Sequence, residues 1–84
     1  MNRDAMAGAV TIIVDDERFE LTDELAQEVA NHLWKGLERG AVTAAARLST
    51  AIYKTGGPAE DAVFPPYEWV AVLDALTALG ARPA

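Results

Sequence analysis

Few side chains in this 84-residue sequence could do chemistry. Asp15, Asp16 and Glu17, with Glu20 close behind, form an acidic cluster that could attract a divalent cation. A calcium-binding loop alternates its carboxylates and carries a glycine for its tight bend. This cluster is contiguous and contains no glycine, so it reads as a solvated turn. His32 is the single histidine and falls among polar residues, one helical turn from Glu28. No second histidine stands by to complete a zinc site, and neither H-E-x-x-H nor a Ser-His-Asp arrangement is recognisable. Ser49 lacks the G-x-S-x-G elbow of an activated nucleophile. Gly56 and Gly57 could begin a phosphate loop, but both common glycine-rich patterns are absent and Pro58 has no N–H to offer. Cysteine is absent, which removes disulfides, thiolate metal sites and thiol catalysis. The reading is therefore of no catalytic residue, no cofactor and no metal site.

The aromatic residues are more informative. Trp34 and Trp69 fall within apolar helical stripes and are expected to pack in the core. Tyr53 and Tyr67 fall at stripe margins, where a rim or groove is the better expectation.

Charge narrows the choice of partner. The formal net charge is −6, and the seven lysines and arginines are scattered along the chain. Phosphate recognition needs them clustered, so neither nucleic acid nor an anionic membrane surface is expected as a partner. No apolar run approaches the ~20 residues that span a bilayer. The first residues lack the apolar core of a signal peptide and are read as a mature start. With the missing cysteine, this gives a cytoplasmic expectation.

The elements that would position these residues are readable from periodicity. The stretch from Leu21 to Arg39 places Leu21, Leu25, Ala26, Val29, Ala30, Leu33, Trp34 and Leu37 at steps of three and four. That spacing predicts an amphipathic helix over about 22–39, capped by Thr22, begun by Asp23 and Glu24 and stopped by Gly40. Before it, Val10 to Val14 are β-branched throughout, and Arg18 to Leu21 alternate polar and apolar, which predicts a β-hairpin over about 9–21. A two-residue loop at Asp15–Asp16 would pair Ile12 with Phe19, and a four-residue loop would pair Val14 with Phe19. Either keeps Val10, Ile12, Val14, Phe19 and Leu21 on one face, whereas a three-residue loop would break that agreement.

A second helix is predicted over about 42–54, starting either at a Thr43 cap or directly after Gly40. One long helix kinked at Gly40 is the competing reading. A loop follows, then a short third strand near 62–64 beside the hairpin. Pro65–Pro66 opens a third helix over about 66–79 with Trp69, Val72, Leu73, Leu76 and Leu79 as its stripe. The fold class is α+β: residues 1–8 as a disordered N-terminus, 9–80 as one hairpin-plus-three-helix domain and 81–84 as a tail. The expected core is Ile12, Phe19, Leu21, Leu25, Val29, Leu33, Leu37, Leu48, Ile52, Leu73 and Leu76.

These features fit a small, acidic, non-enzymatic interaction or regulatory module that forms a homodimer and binds a protein partner. The motives for self-association are an unpaired edge on the first strand, the small size of the domain and more apolar stripe than three short helices easily cover. Thr11, Ile13, Tyr53, Tyr67 and Trp69 are the candidate interface, with Ile13 as a plain surface residue the competing reading. The alternative is a small-ligand or enzyme-accessory domain with a pocket near Tyr67 and Trp69.

Overall fold

The computed structural model describes residues 10–53 and 61–83, and the side chain of Tyr53 lies outside that description. The expectations for residues 1–8 and for most of the loop before the third strand fall outside the described residues. Within them the order is β1 (Val10–Val14), β2 (Glu17–Leu21), α1 (Asp23–Trp34), α2 (Ala41–Tyr53), β3 (Asp61–Val63) and α3 (Pro66–Ala78). This is the α+β arrangement of a hairpin, three helices and a third strand.

The hairpin takes the two-residue loop. Val10 lies opposite Leu21, Ile12 opposite Phe19 and Val14 opposite Glu17. Asp15 and Asp16 bridge the strands with φ of 52° and 64°. Two successive positive φ values are the signature of a type I′ turn, whose twist matches that of the strands it joins. β3 adds parallel to β1, with Ile12 beside Ala62 and Ile13 beside Val63, so the sheet order is β2-β1-β3. The first strand is therefore central. Its expected unpaired edge is taken up by β3, so that edge offers nothing for a second copy to pair with.

Strand alternation sends Val10, Ile12, Val14, Phe19, Leu21 and Ala62 into the core, all nearly inaccessible. The helices answer with Ala26, Val29, Ala30 and Leu33 from α1 and Ala41, Ala44, Ala45, Leu48 and Ile52 from α2. Ala71, Val72, Ala75 and Leu76 come from α3. The many alanines let α2 approach its neighbours closely. Leu25 and Leu73 are partly buried against this core.

The first helix is shorter than its periodicity predicts. It ends at Trp34, where the Lys35 N–H bonds back to the carbonyls of Asn31 and His32. Gly36 then turns the chain: a β-carbon there would lie 3.2 Å from that of Ala41 and 3.3 Å from the carbonyl of Leu33. Leu37 continues the sequence period by coincidence. It sits in the connection and is 100% exposed, so it is no part of the core. Trp34, expected inside, is 48% exposed because the buried stripe of Ala26, Val29, Ala30 and Leu33 leaves it at the margin.

Gly40 begins the second helix rather than ending the first. Its carbonyl accepts from the Ala44 N–H at 2.8 Å and from the Thr43 hydroxyl at 3.0 Å. Thr43 is thus inside the helix, and the single kinked rod is excluded. At its start α1 is as expected, with the Thr22 hydroxyl accepting from the Leu25 N–H at 3.1 Å. At the other end of the fold Gly80, φ 78°, closes α3. The Ala81 N–H reaches the Leu76 carbonyl and the Gly80 N–H that of Thr77, the paired bonds of a Schellman stop.

Candidate functional site

The most organised polar constellation joins α2 to α3. Arg47 lies on α2, one turn beyond Thr43. Glu68 stands in the first turn of α3, where its negative charge meets the positive end of the helix dipole. The Arg47 guanidinium donates from Nε to one Glu68 oxygen at 2.9 Å and from Nη2 to the other at 3.2 Å. Such a forked pair fixes orientation as well as distance. The Glu68 side chain is 0% exposed, whereas that of Arg47 is 41% exposed.

Burial alone would push the Glu68 carboxyl up. The Arg47 hydrogen bonds oppose this, joined by Thr43, the Arg47 charge and Tyr67, and together they hold the carboxyl below its ordinary value. The same hydrogen bond raises Arg47 above its ordinary value, against a smaller lowering by burial. The pair is charged across the neutral range. An inaccessible carboxylate with both oxygens already engaged is suited to clamping two helices, not to abstracting a proton.

Gly40 belongs to this constellation. With φ of 82°, it lies against the first turn of α3, where a β-carbon would come within 2.7 Å of the Tyr67 carbonyl oxygen. The Gly40 approach and the Arg47 fork thus fall on the same turn.

Sequence reasoning missed Glu68. The expected α3 stripe began at Trp69, but the buried face is Glu68, Ala71, Val72, Ala75 and Leu76. The signal was present: Glu68 stands four residues before Val72 and eight before Leu76, on the same face.

Of the sequence-predicted residues, Trp69 is linked to Ile13 through Phe64, and the side chain of Tyr53 lies outside the described residues. Thr11 and Ile13 are half-buried on the open face of the sheet, where Val63, beside Ile13, is 58% exposed. Tyr67 is exposed on α3. Trp69 is partly buried, and its indole N–H donates to the Phe64 carbonyl at 2.8 Å. Phe64 in turn donates its N–H to the Ile13 carbonyl at 3.1 Å, so the indole pins the junction between β3 and α3. Asp15, Asp16, Glu17 and Glu20 are exposed around the hairpin, and Arg18 contacts Glu20 at 3.4 Å.

His32 is half-buried near the end of α1. It lines a hollow of about 20 Å³ with Leu33, Gly36, Glu38, Ala41, Ala71 and Asp74. That volume has room for about one water molecule. Neither Tyr67 nor Trp69 lines it. Among the described residues no group of three acidic or histidine side chains is placed to hold a metal ion, and no helix is long and apolar enough to cross a membrane.

The chain matches no protein-family model, and no curated protein and no solved structure matches it either.

Proposed function

We propose that this chain is a small, acidic, non-enzymatic interaction module that acts by self-association and by binding a protein partner in a regulatory role. The observation that carries this reading is the amount of large apolar surface left uncovered on so small a domain. Trp34, Leu37, Val42, Val63, Tyr67 and Val70 are each between 48% and 100% exposed. Exposed hydrophobics scattered singly are ordinary, so the support lies in their number and size on a domain this small, where a tryptophan and a tyrosine are among those left uncovered. The polar groups offer support of a different kind. The best-built constellation, Arg47 with Glu68, is consumed in holding helices together.

The test is the mass of the native protein in solution. Sedimentation equilibrium from micromolar to millimolar concentration is expected to give a species of twice the 9.0 kDa chain mass. A monomer throughout that range overturns the self-association half of the reading.

A further inference from the structure

We propose that two copies of this chain join along β2, antiparallel and edge to edge, about a two-fold axis passing beside Phe19. The inference rests on the self-association reading above and names the surface that would serve it.

β2 is an edge strand. It pairs with β1 on one side, and among the described residues no strand lies on the other. The tight turn makes Val14 and Glu17 a hydrogen-bonded pair, and an antiparallel ladder alternates bonded and non-bonded pairs from there. Ile12–Phe19 and Val10–Leu21 are then bonded pairs as well. The backbone groups of Glu17, Phe19 and Leu21 are thus spent within the hairpin. Those of Arg18 and Glu20 point outward, free to pair with another strand.

Charge then selects the register. Shifting a strand by one residue would turn its apolar set to the wrong face, so only even shifts are admissible. Three two-fold registers use the outward groups of Arg18 and Glu20. One sets Arg18 against Arg18, another sets Glu20 against Glu20, and both oppose like charges. The third sets Phe19 beside Phe19 and places Arg18 of each copy opposite Glu20 of the other. In that register both charges meet their opposites twice, on the solvent face of a continuous six-stranded sheet.

Within the row from 17 to 21, Glu17 lies opposite Leu21, so no carboxylate faces a carboxylate. The Arg18 and Glu20 side chains are 55% and 59% exposed and already touch within their own strand, so the four side chains of a dimer are placed as a square of alternating charges. Charged residues on a strand edge commonly deter self-pairing. Here the two signs, two residues apart, turn the deterrent into a match.

Sedimentation velocity over a concentration series tests this with four proteins: the native chain, Arg18→Glu, Glu20→Arg and the double swap Arg18→Glu/Glu20→Arg. Each single reversal is expected to weaken dimerisation about tenfold, since two attractive pairs become repulsive. The double swap is expected to restore it. Glu20→Pro is a second, independent block, because that N–H points away from β1 and its loss spares the hairpin. Circular dichroism confirms that each variant is folded. A native dimer unaffected by the single reversals, or by Glu20→Pro, overturns the β2 edge while leaving self-association standing. A double swap that stays as weak as the singles overturns the register. A native chain that is monomeric at every concentration overturns both.

Discussion

Gly40 and Tyr67 meet so closely that a β-carbon on the glycine would lie 2.7 Å from the tyrosine carbonyl oxygen. Backbone oxygen cannot swing aside as a side-chain tip can, so the two segments would have to separate. Gly40→Ala also forces an L-residue into φ of 82°. Together these are expected to cost about 2–4 kcal/mol. Gly80 provides the control, since its φ is 78° but nothing lies within 4 Å of its missing β-carbon. Gly80→Ala should cost only the conformational part, about 1 kcal/mol. Urea titrations of both variants check the difference; equal losses would mean that the Gly40 approach is not tight.

The Arg47–Glu68 fork makes stability depend on acidity with a definite sign. The folded-state pKa of Glu68 lies below its ordinary value of 4.5. Its contribution is therefore fully present above pH 4.5 and is lost as pH falls through the lower folded value. Arg47→Met leaves a buried carboxylate without its cation, and burial then pushes that carboxyl up. The cost near neutral pH is expected to be about 2–3 kcal/mol, below the range for fully buried pairs because water reaches the half-exposed arginine. The gap between native and variant should shrink on acidification from pH 6 to pH 3. Arg47→Met/Glu68→Leu should recover much of the loss. Denaturation midpoints at several pH values settle the matter, and a gap that stays constant would refute the electrostatic account.

How much of this was legible in the sequence follows from which forces act locally. The β-branched run from Val10 to Val14 and the alternation after it determine the strand faces, and both loops compatible with that parity were readable. The choice between them was not, because Asp-Asp has no strong preference for successive positive φ. The end of α1 was hidden for another reason. Leu37 keeps the helical period, and only Gly36, a weak signal, marks the real stop. Glu68 was obscured by its charge: a carboxylate inside a helix stripe is credible only once Arg47, 21 residues away in sequence, is seen to reach it.

The same turn offers a third test. Asp15 and Asp16 both hold φ values that favour glycine and asparagine. Asp15→Asn/Asp16→Gly is expected to raise stability by about 1 kcal/mol, with an unchanged dependence on denaturant concentration. The measurement is a shift of the urea midpoint. A fall in stability would show that the two carboxylates make contributions beyond turn geometry.

β3 supplies the last consequence. The central strand finds its second neighbour only at Asp61–Val63, after both α1 and α2 have been made. Such distant partners must wait for the chain to close a long loop. A chain emerging from the ribosome therefore carries β1 half-dressed through much of its synthesis. During that interval it is most exposed to meeting a stranger, and any shortened product that stops before Asp61 would keep that vulnerability for good.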